Sequence, residues 1–131
     1  MSGGSKDLIW RLDRDYAQDD HDAPRDARRA IAEQEDLPPS VRDDLSIVVT
    51  ELLANAIRHS PRVAGGRILL TVRREAGAVH VEVRDPGGGF AVHDPAREGG
   101  LGLIAVERVS SDWGLQLTDI TLVWSTIAIP E

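Results

Sequence analysis

The chain has 131 residues and a mass of 14.3 kDa, which fits a single domain. Apolar residues make up 41% and charged residues 28%, a balance typical of a folded globular protein. The formal net charge of −7 argues against a role in coating nucleic acid or an anionic membrane, because such surfaces need surplus positive charge. The lack of cysteine excludes disulfides and cysteine zinc sites. With no long apolar run and no secretory signal, we expect a cytoplasmic protein.

A single lysine, Lys6, excludes two common designs for binding nucleotides. A P-loop needs a lysine that follows a glycine-rich turn and precedes Ser or Thr, whereas Lys6 precedes Asp7. A protein-kinase lobe needs a strand lysine and a chain about twice as long. Any phosphate bound here must therefore be held by backbone amides, arginine or a metal ion.

The N-terminal part predicts a short tail, a strand and an acidic loop. Residues 1–7 are interpreted as a flexible N-terminus that precedes one domain over residues 8–131. Residues 8–12 are a β-prone run. The acidic stretch 13–22 is interpreted as a solvated loop rather than a metal site, because it lacks the Gly and the downstream Glu of a calcium loop.

Two helices are predicted next in the chain. Asp22 can cap a first helix that continues through Ala32. Ser40 can cap a second helix, whose apolar residues recur at helical spacing and whose end is expected at Ser60–Pro61. The apolar stripe of this second helix consists of Val41, Leu45, Val48, Leu52 and Ala56.

The C-terminal half changes to alternation with a period of two. Residues 68–72 and 79–83 predict a β-hairpin, and residues 113–129 a second hairpin that turns at Thr118–Asp119. Residues 99–109 predict a glycine-led third helix between these hairpins. The order of elements predicts an α+β fold, a two-layer α/β sandwich with a mixed, mostly antiparallel sheet and about three helices on one face.

Two of the candidate functional patterns lie on the second helix and after a strand. Glu51 and Asn55 are four residues apart beside the apolar stripe, where polar groups either line a pocket or form a solvated flank. Asp85 ends a strand before Gly87 and Gly89. Its carboxylate can accept a hydrogen bond from the exocyclic amine of adenine, which guanine does not offer at that edge, or can bond within its own turn.

The third pattern is the glycine-rich start of the last helix. Gly100, Leu101 and Gly102 can present free backbone amides to an anion, or they form an ordinary glycine-rich loop. The dinucleotide-binding fingerprint is excluded because Ala105 stands in place of its third glycine.

The order and spacing of the three patterns resemble the GHKL superfamily of ATPases, in which an N box, an adenine-recognising box and a second glycine box follow one another. The corresponding segments here are Glu51-x-x-x-Asn55, Asp85-x-Gly87-x-Gly89 and Gly100-x-Gly102. More narrowly, residues 51–60 resemble the N box of bacterial anti-sigma-factor serine kinases, and the closing Trp113-Gly114 fits that subgroup. The resemblance covers residues 8–129.

The resemblance implies that the chain binds ATP with Mg²⁺. Asn55 would hold Mg²⁺ and Glu51 would act as general base. Asp85 would recognise adenine, with Gly87 and Gly89 shaping its turn.

The remaining roles that the resemblance implies concern the phosphates. Gly100, Leu101 and Gly102 would offer backbone amides to them. Arg97 either reaches the γ-phosphate or is a solvated charge of the short lid. Thr121 would contact the nucleotide, although Asp119–Ile120 precede it where related sequences often have two glycines.

The function implied by the resemblance is that of a protein serine/threonine kinase in a partner-switching system. Such a kinase would bind a sigma factor, phosphorylate one serine of an anti-anti-sigma (STAS-type) protein, and form a homodimer, without direct contact with nucleic acid or membrane. A non-catalytic ATP-binding regulatory module is the alternative, and an excised sensor-kinase catalytic domain is a third option.

The histidines are not expected to accept phosphate, because a phosphoaccepting histidine would need a separate dimerising helical domain. His59 is expected to be a structural residue or to lie at the pocket edge. His21, His80 and His93 are expected at the surface.

Overall fold

A computed structural model describes residues 7–87 and 103–130. Within these ranges five strands form one sheet in the order β1–β2–β3–β5–β4, and every strand pair is antiparallel. The predicted α+β class and two-layer arrangement are confirmed. The elements are β1 (Leu8–Ala17), α1 (Ala23–Ala32), α2 (Pro39–His59), β2 (Arg67–Glu75), β3 (Ala78–Asp85), α3 (Leu103–Val109), β4 (Asp112–Leu117) and β5 (Thr121–Ala128).

The hydrophobic core lies between α2 and one face of the sheet. Because side chains alternate across a strand, every second residue of β2 and β3 points towards the helices. The helix α2 packs on β2, β3 and β5, while α1 and α3 pack against α2. The most deeply buried members of this core are Leu45, Val48, Val49, Leu53, Ile68, Leu70, Val72, Val79, Val81 and Val83.

The first strand is longer than its sequence predicts. The acidic stretch was expected to form a loop from residue 13, but β1 continues to Ala17. Its carboxylates are neutralised within the sheet, because Asp15 accepts a 2.7 Å hydrogen bond from Arg67 and Asp13 a 2.8 Å bond from Arg11. Charged side chains are tolerated on such an edge strand, which keeps one side in solvent.

The two predicted side-chain caps are wrong. Asp22 precedes α1 but makes no side-chain cap hydrogen bond. The helix α2 begins at Pro39, one residue before Ser40, because proline has a helical φ and lacks the N–H that the first turn would leave unpaired. The predicted end is confirmed, since α2 ends at His59 and Ser60 follows as its C-cap.

The other elements follow their predictions closely. A turn at residues 76–77 joins β2 to β3, and a turn at residues 118–120 joins β4 to β5. The described part of α3 begins at Leu103, so its predicted glycine-led start at residues 99–102 lies outside the described residues. No helix in the described ranges is both long and apolar enough to cross a membrane.

The expectation that His80 lies at the surface is wrong. Its ring is partly buried, with Nε2 2.8 Å from Glu75 Oε1 and Nδ1 2.8 Å from Thr126 Oγ1. Since an ionised carboxylate only accepts hydrogen bonds, Nε2 donates to Glu75, and the neutral ring then accepts from the Thr126 hydroxyl. This contact joins β2, β3 and β5, whereas the exposed position of His21 is as expected.

A second polar contact joins the end of β1 to the exit of α2. The side chain of Gln18 is buried, and its Nε2 donates to Ser60 Oγ at 3.0 Å and to the Pro61 carbonyl at 2.7 Å. Its Oε1 accepts from the Val63 amide at 3.1 Å. This one amide therefore satisfies backbone groups that the helix end would otherwise leave buried and unpaired.

We expect Gln18→Ala to lower the free energy of unfolding by about 2–3 kcal/mol, because several buried groups lose their partner at once. The matched control is Gln34→Ala, which removes one local bond to the Ala30 carbonyl and should lower stability by less than about 1 kcal/mol. Urea unfolding measures both. Equal losses in the two variants would contradict the role given to Gln18.

Candidate functional site

The described residues include half of the predicted site. The residues that the structure places are Glu51, Asn55, Asp85, Gly87 and Thr121. Those that lie outside the described residues, together with His93, are Gly89, Arg97, Gly100, Leu101 and Gly102.

The helix α2 places Glu51 and Asn55 one turn apart. The sequence predicts both beside the apolar stripe, but Asn55 is only 1% exposed and lies within the buried face. Glu51 is partly buried, and its carboxylate makes no hydrogen bond or ion pair with another described residue. An amide and an uncommitted carboxylate thus lie next to each other along one side of α2.

The amide of Asn55 is bonded on one side only. Its Oδ1 accepts a 2.8 Å hydrogen bond from Arg58 Nη2, while its buried Nδ2 has no partner among the described residues. Leaving a buried donor unpaired costs about 1–3 kcal/mol, so this site favours a ligand that brings an acceptor.

The chemistry of these side chains fits Mg²⁺, although none of the groups of side chains in the described ranges forms a metal cluster by itself. Magnesium prefers oxygen ligands and keeps most of its shell as water and phosphate oxygens, so one amide oxygen can suffice. Asn55 Oδ1 would hold the ion, with the Glu51 carboxylate one turn away.

Asp85 lies at the end of β3, on the side of the sheet that faces the helices. Its carboxyl is buried, and Oδ1 accepts a 2.9 Å hydrogen bond from the Gly87 amide. The turn uses one oxygen, so the carboxylate retains the capacity to accept from a ligand at the other. Both interpretations of this residue, a turn and an adenine acceptor, are therefore compatible in one side chain.

The electrostatics of Asp85 follow from its burial. Desolvation raises the pKa of this carboxyl, while the Gly87 amide and the Thr121 hydroxyl oppose the rise. Thr121 is the residue opposite Asp85 in the β3–β5 register and is 1% exposed. Its Oγ1 nevertheless lacks a hydrogen bond of good geometry among the described residues, so both buried side chains retain capacity for a ligand.

Gly87 brings the turn after β3 directly against the turn before β5. Its φ is +90°, and a Cβ built there would lie 2.5 Å from the Asp119 carbonyl oxygen and 2.8 Å from Ile120 Cα. Both the conformation and the close approach require glycine. The pair Asp119–Ile120, which replaces two glycines of related sequences, thus packs against this turn and leaves Thr121 opposite Asp85.

Helix and sheet together place these groups in one layer. Asp85 follows Val83 on the core side of β3, and α2 packs on both β3 and β5. Asn55 and Asp85 therefore face the space between the helices and the sheet from opposite sides. Arg58 was missed by the sequence analysis, although its position three residues after Asn55 on a helix could have indicated the contact.

We expect Gly87→Ala to lower the free energy of unfolding by at least ~2 kcal/mol, because φ strain and overlap with backbone act together. Two glycines with open space around them separate the causes. Gly65→Ala, at φ +71°, should lose about 1 kcal/mol from strain alone, and Gly77→Ala should stay within ~0.5 kcal/mol of the parent. Thermal or urea unfolding ranks the variants, and a Gly87→Ala loss no larger than that of Gly65→Ala would contradict the close approach.

The raised pKa of Asp85 gives a pH dependence. Because the folded-state pKa lies above the unfolded one, ionisation of this carboxyl disfavours the folded state as pH rises through the folded-state value. Asp85→Asn keeps an oxygen for the Gly87 amide and removes the charge. We therefore expect the free energy of unfolding of Asp85→Asn, relative to the parent, to increase from about pH 4 to about pH 7 in urea unfolding.

The control for loss of one negative charge in this pH series is Asp19→Asn, at an exposed position. An increase of the same size in that variant would assign the effect to net charge. A parent that gains stability over Asp85→Asn as pH rises would contradict the desolvation of Asp85.

Comparison with known protein families supports the same site. The family model of the histidine kinase-like ATPase domain matches residues 17–124, most of the chain. The matched region includes all the predicted site residues and confirms membership of the GHKL superfamily. A search of curated proteins gave no match. With the fold and the N-box helix as described, the chain belongs to the family of histidine kinase-like ATPase domains.

Proposed function

We propose that this ATP-binding domain is an ATP- and Mg²⁺-dependent serine kinase of the anti-sigma-factor type. The family membership supports the binding of ATP, and the resemblance of residues 51–60 to the N box of such kinases supports the finer assignment. The observation that carries the proposal is on α2, where the carboxylate of Glu51, without a described partner, lies one turn from the buried, half-bonded amide of Asn55.

The choice of ATP over GTP rests on Asp85. A buried carboxylate with a free acceptor oxygen pairs with the exocyclic amine of adenine. Guanine has a carbonyl oxygen at that edge, which would place acceptor against acceptor. Buried polar groups that are left unpaired in this way discriminate strongly between ligands.

The chain's own residues then divide the work of phosphoryl transfer. The oxygen of a substrate serine would attack the γ-phosphorus as the bond from that phosphorus to ADP breaks, and the Glu51 carboxylate would accept the serine proton. Asn55 would hold Mg²⁺, which when bound neutralises charge on the phosphates. Asp85 fixes the adenine end, so the distance from β3 to α2 sets where the γ-phosphate lies.

The proposed partners are proteins. The substrate would be an anti-anti-sigma protein of the STAS type, and the second partner a sigma factor. A net charge of −7 supports the binding of a basic transcription factor, because complementary charge speeds association. A homodimer and a cytoplasmic location belong to the same proposal.

We expect Glu51→Ala to abolish phosphoryl transfer while leaving the affinity for ATP within about twofold, because a general base contributes to the transition state and not to nucleotide binding. The assay follows labelled γ-phosphate from ATP into purified STAS-type proteins of the same organism, with the modified serine located by mass spectrometry. Glu33→Ala is the matched control, since Glu33 is an exposed glutamate at the end of α1.

The outcomes separate the proposal from its alternative. Undiminished transfer by Glu51→Ala would remove this residue from the mechanism. Normal ATP binding by the parent, with no transfer to any STAS-type protein, would overturn the kinase assignment in favour of a non-catalytic ATP-binding module.

A further inference from the structure

The contact between Arg58 and Asn55 bears on how the site responds to Mg²⁺, and the argument rests on the proposed function. Arg58 lies at an exposed position near the end of α2, and its Nη2 donates to Asn55 Oδ1 at 2.8 Å. This oxygen is the atom that would hold the metal ion. A cationic side chain therefore occupies the proposed metal ligand in the nucleotide-free chain.

The orientation of the Asn55 amide depends on Arg58. Rotating the amide by half a turn would offer its buried Nδ2 a different environment, but it would also place N–H groups against the N–H groups of Arg58. The hydrogen bond to Arg58 therefore holds Oδ1 outwards and leaves Nδ2 unpaired. The amide is kept in a state that satisfies only one of its two polar atoms.

A metal ion and the Arg58 guanidinium compete for the same oxygen. A divalent cation bound at Oδ1 would lie within a few ångströms of the guanidinium, where like charges repel. Because Arg58 is exposed and has a long flexible side chain, its guanidinium can move into solvent without disturbing the core. Occupation of the metal site is thus coupled to the release of one surface side chain.

We infer that Arg58 is a latch on the magnesium site: it caps Asn55 Oδ1 in the absence of nucleotide and must be displaced before Mg²⁺ binds with ATP. The latch opposes the binding of Mg²⁺ alone. ATP without metal does not need Asn55 Oδ1, so the latch weakens the binding of Mg-ATP more than that of metal-free ATP.

The test measures ATP affinity by calorimetry in excess EDTA and in saturating Mg²⁺, and takes the ratio of the two dissociation constants. Arg58→Ala should raise this Mg²⁺ enhancement about fivefold over the parent, the size expected from one exposed charge-assisted hydrogen bond. Arg58→Lys keeps the positive charge but lacks the planar donor pair, and should raise it by a smaller factor.

The matched control is Arg28→Ala, which also removes one arginine from the surface of α2. Arg28 donates to Thr50 Oγ1, the neighbour of Glu51, and does not contact Asn55. Its Mg²⁺ enhancement should equal that of the parent. A rise in Arg28→Ala as large as in Arg58→Ala would assign the effect to general charge and overturn the latch.

A spectroscopic readout accompanies the binding data. The side-chain amide resonances of Asn55 should shift in Arg58→Ala without ligand, and should shift in the parent when Mg-ATP is added. An unchanged or lowered Mg²⁺ enhancement in Arg58→Ala would show instead that Arg58 orients the amide or binds phosphate. If the proposed function itself fails, the parent will show no Mg²⁺-dependent ATP binding, which distinguishes that failure from loss of the latch alone.

Discussion

Polar side chains buried between α2 and the sheet are the constraint on which the site depends. The layer is otherwise aliphatic, yet it contains Asn55, Asp85 and Thr121, each at most 5% exposed. Each buried polar group with an unmet partner costs about 1–3 kcal/mol. The fold tolerates these groups because the surrounding core of Val, Leu and Ile is large. A nucleotide that supplies the missing partners gains the same free energy on binding.

The backbone at the sheet edge serves the same site. Gly87 allows the turn after β3 to touch the turn before β5, which fixes Asp85 and Thr121 in register. The desolvated Asp85 raises its own pKa, so the adenine acceptor is held at some expense of stability. On the other layer, Gln18 secures the end of α2 beyond the N box. The two halves of the site are therefore positioned by contacts far from any catalytic atom.

Periodicity in the sequence predicts most of the fold, because the spacing of apolar residues reports which side of each element is buried. The hairpins and the end of α2 follow directly from it. The extension of β1 does not, since Asp13 and Asp15 are strand residues only by virtue of arginines, one of them distant in the chain. His80 was misjudged for a similar reason, because Glu75 and Thr126 meet it only in the folded sheet. The motif order predicts Asn55 and Asp85 as site residues, whereas the depth of Asn55 and its bond to Arg58 required the structure.

The central claim is that buried Asp85 and Asn55 form one site for adenine nucleotide and magnesium. Calorimetric titration with ATP and with GTP, each with and without Mg²⁺, tests it most directly when Asn55→Ala is measured alongside. The account predicts ATP binding that Mg²⁺ strengthens, no detectable GTP binding, and loss of the Mg²⁺ enhancement in Asn55→Ala. Equal affinity for GTP and ATP, or an Asn55→Ala variant that keeps the full enhancement, would contradict it.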